Sequence, residues 1–376
     1  YSFINDSNIE QDIKFLIHSE LLSDQNNFIS GMKLDNGMVQ FAHDFSIATF
    51  SKLEKIFAGQ INGTSNNIGS GIIGGKDYVG MSKDSGISFD IGKLPAGHRK
   101  DIEICIYIDE NKKTMHDFMD EVERIRKIDF NKELNDTKAY WRKYVKEHDG
   151  LKIKEPQNSY EEKILNVYKR SILLFPLLMN EETGGIIASP EVDEELSQCG
   201  RYAYCWPRDA VFITQALDIL KMNKEADKFY SEFCRITQSK NGMWEQRFYT
   251  DGRLAPCWGY QVDETASVVY GVYNHYEYTK NEEFLKENLH MCELAITFLK
   301  KYVYDVLENT GKYAVSYDIW EENDRGIHMY SLASIFSAFD TMKKIYKALG
   351  KNVSDFENNR LKEEKINKNI KEIDEL

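Results

Sequence analysis

The feature that most constrains the fold of this 376-residue chain is a change of hydrophobic periodicity near Thr114. Before Thr114, apolar residues recur at every second position, which is the period of a strand with two different faces. After it, charged segments carry apolar residues at the three- to four-residue spacing of amphipathic helices. Because the two patterns occupy separate blocks, the sequence predicts a domain of strands followed by a domain of helices.

Residues 1–113 are predicted to form an antiparallel β-sandwich. The most regular alternation lies between Lys100 and Asp109, with four isoleucines on one face: Ile102, Ile104, Ile106 and Ile108. Other strands are expected at 13–21, 38–51 and 86–93, and Asp35-Asn36-Gly37 is expected to turn a hairpin. Repeated short strands separated by Gly and Asn turns are typical of sandwiches.

Residues 114–150 predict one or two charged helices that link the domains, and residues 151–376 predict a succession of longer helices. The expected spans of those longer helices are 159–179, 207–221, 224–239, 262–279, 281–304, 328–349 and a last one from about 353. The loops between them are rich in Gly, Pro, Trp and acidic residues. Helices alternating with such loops predict a toroid of helical hairpins.

Composition excludes several classes of partner. The net charge of −13 argues against nucleic acid or an anionic membrane, because phosphate groups need Lys and Arg. No apolar run is long enough to span a bilayer. The sequence has no HExxH motif and no clustered His and Cys ligands, so neither a metal nor another cofactor is expected.

The six cysteines include no CxxC pair, and in a chain of this size they predict reduced thiols and a cytoplasmic protein. Secretion is the alternative, because residue 1 is tyrosine and an export signal would lie before it. The chain is expected to be trimmed or a fragment, since its final charged stretch also ends within a helical pattern.

Residues 202–209, YAYCWPRD, form the first candidate site. Pro207 suits the first turn of a helix, so Arg208 and Asp209 would lie at the N-terminus with Trp206 just outside. A guanidinium beside a carboxylate can bracket vicinal hydroxyl groups, while an aromatic ring stacks on a sugar. The alternative is a structural salt bridge that caps the helix.

A second cluster lies in residues 244–264, WEQRFYTDGRLAPCWGYQVDE. Trp258 is followed by Asp263 and Glu264 at an expected helix start, which again combines a stacking surface with hydrogen-bond acceptors. Sugar contact is one interpretation. The other is that the two carboxylates only stabilise the helix dipole.

A third cluster is SYDIWEENDR, at 316–325. If Glu321 packs against Trp320 in a partly dry pocket, desolvation raises its pKa, and Asp318 and Glu322 raise it further. A carboxyl group that stays protonated near neutral pH is what a general acid requires. The alternative is a solvated acidic loop. Three clusters of tryptophan and acid at loop–helix junctions favour a site, because such junctions can converge on one end of a toroid.

In this order and spacing, the segments GRYAYCWPRDAVFI, CWGYQVDETA and SYDIWEEN resemble glycoside hydrolase family 15, which contains glucoamylases, glucodextranases and some trehalases. The resemblance covers nearly the whole chain and is strongest to bacterial glucoamylase-like members. It implies an N-terminal β-sandwich over 1–113, a helical linker over 114–150, and the first part of an (α/α)6 barrel over 151–376.

The resemblance also implies roles for single residues. Glu321 matches the general acid, and Arg208 and Asp209 match the pair that grips the terminal glucose. Further residues match positions that line or contact the sugar subsites: Tyr202, Trp206, Trp258, Glu264, Trp320 and Glu322. Glu264 stands where fungal members have aspartate, and Tyr260 stands where they have arginine.

The implied reaction is an inverting hydrolysis that releases glucose from the non-reducing ends of α-glucans or oligosaccharides. Inversion needs a second carboxylate as base, roughly 6.5–9.5 Å from the acid. No segment after Glu322 resembles the setting of that base, so it is expected beyond residue 376. Two alternatives remain: a trehalase or isomaltose-type hydrolase of the same fold, and a non-catalytic glucan-binding protein.

Overall fold

A computed structural model describes most of the chain. The described residues are 1–20, 29–34, 37–41, 45–51, 56–61, 69, 80–82, 84–110, 114–191, 202–257, 259–308, 316–320, 326 and 328–353. They divide into two compact units, Tyr1–Lys138 and Ala139–Leu376. The domain bounds inferred from the sequence stay a prediction.

The first unit contains three antiparallel sheets built from ten strands within the described residues. The strands are β1 (Ser2–Ile4), β2 (Gln11–Glu20), β3 (Ile29–Leu34), β4 (Gly37–Phe41), β5 (Ser46–Ser51), β6 (Ile56–Ile61), β7 (Gly80–Ser82), β8 (Asp84–Leu94), β9 (Arg99–Asp101) and β10 (Ile104–Asp109). The sheet orders are β1-β9, β10-β5-β4-β3-β7 and β2-β8-β6.

The expected hairpin is present as the pairing of β3 with β4, in which Leu34 lies opposite Gly37. A Cβ atom on Gly37 would come within 2.4 Å of the Thr49 carbonyl oxygen, so the close approach of β5 requires glycine there. Asp35 and Asn36 lie outside the described residues. The expected strand 38–51 is divided into β4 and β5, which pair antiparallel.

The alternation in β10 is present, but its isoleucine face is divided. Ile104 packs with the buried Ile102 in a separate core cluster, whereas Ile106 and Ile108 are 59% and 61% exposed. The opposite face also packs, with Cys105 and Tyr107 joining the cluster of Val39, Ala48, Phe50, Phe118 and Val122. The cause is the helix Met115–Arg126 (α1), because Phe118 lies 5.2 Å from Tyr107 between ring centroids.

Two helices occupy the predicted linker. Helix α1 begins with a capping box, in which the Thr114 side chain accepts from the Asp117 N–H and the Asp117 carboxylate accepts from the Thr114 backbone. The second helix, α2, spans Phe130–Glu147 and has no fully buried residue. Two of its side chains, Tyr144 and Val145, are partly buried and pack against the core cluster that contains Trp244.

The second unit is helical, and its elements follow the predicted spans closely. They are α3 (Ser159–Leu174), a 3₁₀ turn (Phe175–Leu178), α4 (Pro207–Ile219), α5 (Asn223–Lys228), a π-helical turn (Phe229–Cys234), a short helix (Arg235–Thr237), α6 (Val262–Thr279), α7 (Glu282–Glu308) and α8 (Met329–Ala348). The π-helical turn was not predicted. The helix expected from about 353 falls on residues 354–376, outside the described part.

Helix α6 packs against α4 on one side and α8 on another, and α7 packs against both α6 and α8. Their shared core includes Trp244, Tyr230 and Phe284, all nearly inaccessible to solvent. Gly271 permits the contact of α6 with Tyr230, because a Cβ atom there would lie 2.3 Å from the tyrosine hydroxyl oxygen. The mixed β and helical class is therefore present, while the sandwich and the toroid stay predictions.

In the described part of the chain, no helix combines the length and apolar character needed to cross a lipid bilayer. Five described cysteines are free thiols: Cys105, Cys205, Cys234, Cys257 and Cys292.

Candidate active site

Helix α4 begins as the sequence predicts. Pro207 is its first residue and Trp206 is the N-cap, with an extended backbone and no side-chain cap of its own. Proline is suited to this position because its missing N–H would have no helical partner. The start of α4 therefore places Arg208 and Asp209 in the first turn.

Helix α6 begins next to α4 and carries two acids in its own first turn, Asp263 and Glu264. Both carboxylates are completely buried. Glu264 accepts a 2.7 Å hydrogen bond from the backbone N–H of Arg208. It thus caps the N-terminus of α4 from the neighbouring helix, which Trp206 cannot do.

Arg208 lies at the centre of a cluster of carboxylates. Its Nη1 atom donates to Asp263 Oδ2 at 2.9 Å and lies 3.0 Å from Glu264 Oε1, while Nη2 lies 3.2 Å from Asp209 Oδ2. The Arg208 side chain is buried, whereas that of Asp209 is 43% exposed. Asp209 is therefore the carboxylate of the cluster that faces solvent.

The cluster holds three acids for one guanidinium, and burial is the main influence on the pKa values of the two enclosed acids. Burial raises the pKa of Glu264 well above its ordinary value, although the Arg208 charge opposes the rise. Burial also raises the pKa of Asp263 against the same opposing charge. For Arg208, burial would lower the pKa, but Glu264, Asp263 and Asp209 outweigh it and raise the pKa.

Gln261 links this cluster to the third motif. Its Oε1 atom accepts from Arg208 Nη1 at 3.3 Å, and its Nε2 atom donates to the Asp318 carbonyl oxygen at 2.7 Å. The backbone N–H of Tyr317 also donates to the Tyr260 carbonyl oxygen at 2.9 Å. The first, second and third sequence motifs therefore meet at one place, at the N-terminal ends of α4 and α6.

The third motif is held at both ends. Ser316 and Gly326 form an antiparallel bridge through two backbone hydrogen bonds of 3.2 and 3.1 Å. Within the described part, Asp318 Oδ1 accepts from the Trp320 N–H at 3.0 Å. Residues 321–325 lie between these anchors and outside the described residues, so the predicted roles of Glu321 and Glu322 stay predictions.

The aromatic residues of the first motif differ in exposure. Trp206 is buried, with its ring 6.3 Å from Tyr202, which is half exposed. The Arg247 guanidinium lies 5.3 Å from the Trp206 ring and 4.6 Å from the Tyr204 ring. This stacking holds Trp206 against the start of α4 through cation–π attraction.

Trp320 and Trp258 are the other tryptophans that the sequence predicts to contact the sugar. Trp320 is 79% exposed, so within the described residues it does not form the dry wall that the sequence analysis expected beside Glu321. Trp258 lies outside the described residues. Tyr260 packs against α7, with its ring 5.9 Å from Phe298 and 6.2 Å from Tyr302.

Several residues of this site carried no signal in the sequence analysis: Gln261, Arg247, His328 and Tyr330. His328 is the N-cap of α8, and its Nδ1 atom lies 4.0 Å from Asp318 Oδ2. Burial raises the pKa of Tyr330, and the charges of Asp263 and Arg208 also act on it. An isolated amide or histidine in a loop produces no periodic pattern in the sequence. The one signal available for His328 was its position at the start of the expected helix 328–349.

Buried polar atoms surround the cluster. Trp206 Nε1, Asp263 Oδ1 and His328 Nε2 have no hydrogen-bond partner among the described residues. These three atoms are enclosed, so the exposed carboxylate of Asp209, beside the Arg208 guanidinium, is the part of the cluster that a ligand can reach. A carboxylate beside a guanidinium can bind a neutral, polyhydroxylated molecule, because each hydroxyl group both donates and accepts.

Comparison with known proteins agrees with this chemistry. The sequence profile of the family described as Glycosyl hydrolases family 15 matches residues 162–373, more than half of the chain. The chain is 26% identical over 280 residues to an uncharacterized glycosyl hydrolase of Methanocaldococcus jannaschii, a match that covers 73% of the chain. It is 25% identical over 173 residues, 42% of the chain, to a trehalase of Mycolicibacterium smegmatis.

These matches cover 42% of the length of the first relative and 25% of the length of the second. The profile match includes α4, α6 and the bridge between Ser316 and Gly326, so it contains the whole cluster around Arg208. The chain belongs to glycosyl hydrolases family 15, a family of enzymes that hydrolyse glycosidic bonds.

Proposed function

We propose that the protein is an inverting, exo-acting α-glucoside hydrolase that releases glucose from the non-reducing ends of α-glucans or maltooligosaccharides. The observation that carries this proposal is the junction at Gln261, which bonds to Arg208 and to Asp318. Three motifs that are distant in sequence meet there, with a sugar-binding pair on one side and the segment of the general acid on the other.

In this proposal, Arg208 and Asp209 hold the terminal glucose. Asp209 accepts from sugar hydroxyl groups because it is the exposed carboxylate of the cluster, and Arg208 donates from a fixed position. Asp263 and Glu264 are enclosed, so we assign them to orienting Arg208. The direct sugar contact that the family resemblance implied for Glu264 is not part of this proposal. Tyr202, Trp206 and Trp258 are assigned to the apolar surface of the sugar.

Glu321 is the proposed general acid, which protonates the glycosidic oxygen while water attacks the anomeric carbon. A general acid must hold its proton near neutral pH. Because Trp320 is exposed, we propose that the bound sugar covers it and supplies the desolvation that the protein alone does not. Glu322 is assigned to the sugar on the other side of the scissile bond.

The fold assigned to this activity is a β-sandwich followed by an (α/α)6 toroid. The packing of α6 between α4 and α8, with α7 outside, supports alternating inner and outer helices. The N-termini of α4, α6 and α8 carry Arg208, Glu264 and His328, which lie at the start of each inner helix.

The test is to measure glucose release by the full-length protein and its Glu321→Gln variant. We expect the substitution to lower kcat for maltose by about 10²–10⁴-fold, the usual contribution of a general acid, while maltose binding persists. Glu322→Gln is the matched control, because it changes the adjacent carboxylate and should mainly raise KM. If Glu321→Gln keeps more than about a tenth of the wild-type kcat, Glu321 does not supply the proton.

A second candidate is hydrolysis of α,α-trehalose, favoured by the similarity to a trehalase. Glucose release from maltose, isomaltose and trehalose, measured side by side, separates the two activities. A third candidate, a non-catalytic glucan-binding protein, predicts binding of these sugars without any release of glucose. The anomer released from the preferred substrate, read by proton NMR, tests inversion.

A further inference from the structure

A second pocket lies away from the Arg208 cluster. It has a volume of about 400 Å³, within the range of about 300–1,000 Å³ that is usual for ligand pockets. Its walls come from α2, from the 3₁₀ turn and the loop after it, and from α5. None of its lining residues belongs to the site described above.

Aromatic side chains of α2 form one wall. Tyr140, Trp141 and Tyr144 contact one another, with ring centroids 5.1 to 6.1 Å apart. Tyr144 anchors the wall, because its hydroxyl donates to Met222 Sδ at 3.9 Å. The side chain is partly buried, and this burial raises the pKa of Tyr144 to about 12. Tyr140 remains 58% exposed, although most tyrosines of helical cores are covered.

The opposite wall carries charges of both signs. Lys224, Lys228, Glu181 and Glu225 contribute two positive and two negative groups. Lys228 is engaged, since it donates to the Glu181 carbonyl oxygen and lies 3.9 Å from Glu232. Within the described residues, no hydrogen bond or ion pair engages the side chains of Lys224 and Glu225.

This composition selects a neutral, polar ligand. A phosphorylated or acidic ligand needs an excess of positive charge, which two lysines beside two glutamates do not supply. An apolar ligand would leave Lys224 and Glu225 desolvated without partners. A sugar ring satisfies both requirements, because its hydroxyl groups pair with a cation and a carboxylate while its apolar surface stacks on an aromatic ring.

The pocket lies at the far end of α4 from Arg208. Helix α5, which carries Lys224 and Glu225, follows the C-terminal end of α4 after a short turn. The segment after α2 also packs there, since a Cβ atom on Gly150 would lie 1.8 Å from the Ile219 carbonyl oxygen. Thirteen residues of helix separate this end from the start of α4, a length of about 20 Å.

We infer that this pocket is a non-catalytic binding site for an α-glucan chain, an inference that rests on the proposed function. A sugar ring bound there is separated from Arg208 by the length of α4, so the pocket holds another part of the same polymer or a neighbouring branch. Binding at two sites raises the apparent affinity for a polymer, because the second contact is intramolecular. Short substrates that fill only one site gain nothing.

The experiment measures retardation in native gels that contain glycogen, with Glu321→Gln as the background so that the polymer is not digested. Trp141→Ala and Tyr140→Ala remove the aromatic wall, and the exposed position of Tyr140 makes its variant safe for folding. Tyr160→Ala is the matched control, because Tyr160 is a 71% exposed tyrosine of α3 outside both sites. Maltose hydrolysis by the wild type and by each single variant in the wild-type background runs in parallel.

We expect Trp141→Ala and Tyr140→Ala each to weaken glycogen binding by about fivefold, as for a buried aromatic contact, and Tyr160→Ala to leave it unchanged. Maltose hydrolysis should stay at the wild-type level in all three. If the wall variants keep full retardation while the wild type hydrolyses maltose, the pocket is not a glucan site and the proposed function stands.

If no α-glucoside is hydrolysed but the wall variants lose retardation, the second site stands and the proposed function fails. If the wild type shows neither hydrolysis nor retardation, both fail. A loss of retardation that accompanies a change of oligomeric state on size-exclusion chromatography would overturn the inference, because the pocket would then be a contact between protein chains.

Discussion

Helices α4 and α6 are joined by two polar clusters that differ in the number of carboxylates and in exposure. At the N-terminal ends, Arg208 meets three carboxylates, and one of them, Asp209, reaches solvent. Near the other ends, the single carboxylate of Asp218 meets His275, with 2.8 Å between Oδ1 and Nδ1. Asn223 donates to the same Asp218 oxygen at 2.8 Å.

The difference separates a binding cluster from a structural one. The side chains of Asp218 and His275 are 1% and 2% exposed, so no ligand reaches them, and a hydrogen bond of 2.8 Å joins the carboxylate to the ring. The Arg208 cluster keeps an excess of acid and an open side. Each cluster keeps a carboxylate oxygen without a hydrogen-bond partner among the described residues, Asp263 Oδ1 in the first and Asp218 Oδ2 in the second, so exposure is what separates them. A site that must bind an external hydroxyl group needs an acceptor that solvent can reach, which Asp209 supplies and Asp218 does not.

Replacing the cation should break the first cluster most severely. In Arg208→Leu, Asp263 and Glu264 stay buried without a counter-charge, so we expect a loss of about 3–5 kcal/mol in the free energy of unfolding. Hydrolysis of maltose should also disappear, because the sugar loses its donor. Urea unfolding and glucose release, measured on one preparation, check both effects. A loss of activity with unchanged stability would mean that the carboxylates do not depend on Arg208.

Breaking the second cluster should affect stability alone. In Asp218→Leu, His275 loses its buried partner, and we expect a cost of about 3 kcal/mol. Asp218 lies nine residues beyond Asp209 on α4, roughly 14 Å away along the helix. The kcat/KM of the folded variant should therefore stay within about a factor of two of the wild type. A large fall in kcat/KM would join the two clusters into one functional unit.

The starts of the two helices that carry the Arg208 cluster could be predicted from the sequence. Helix α6 was predicted at its observed bounds, Val262–Thr279, because its apolar periodicity is long and Asp263 and Glu264 mark its start. The first turn of α4 was predicted from Pro207 alone. Local signals of this kind locate the first turn of a helix, and they identified Arg208 and Glu264 as candidate site residues.

The partners of those side chains could not be predicted in the same way. Gln261 joins Arg208 to the third motif only because two distant segments meet, and an uncharged loop residue gives no pattern before they do. The exposed isoleucines of β10 have the same cause, since α1 covers the opposite face of the strand. Alternation predicts that two faces differ, but the packing of another element decides which face is buried.

Removing the open carboxylate should separate binding from stability within the first cluster. We expect Asp209→Asn to lower kcat/KM for maltose by about 10- to 100-fold, the effect of one lost charged hydrogen bond. The free energy of unfolding should change by less than about 0.5 kcal/mol, because this side chain is partly exposed. Kinetics and urea unfolding test the pair of values. A larger loss of stability would place Asp209 with the enclosed acids.

Removing an enclosed carboxylate should act through pH, and the effect should be the smallest. Glu264 titrates near 4.5 in an unfolded chain, and burial raises its pKa well above that value in the fold. Between the two values the native state holds a proton that the unfolded state has released, so the free energy of unfolding falls as pH rises. Glutamine has no proton to release, and Glu264→Gln should lack this part of the fall.

The gain of the variant relative to the wild type should therefore begin above pH 4.5 and grow to about 1–2 kcal/mol as pH approaches the raised pKa. Urea unfolding at a series of pH values from 5 to 8 measures it, with Glu282→Gln as the control that removes an exposed carboxylate of α7. If the gain instead shrinks as pH rises, the Arg208 charge outweighs burial at Glu264. Glu264 would then be the ionised partner of Arg208, and the excess of acid at this cluster would rest on Asp209 and Asp263 alone.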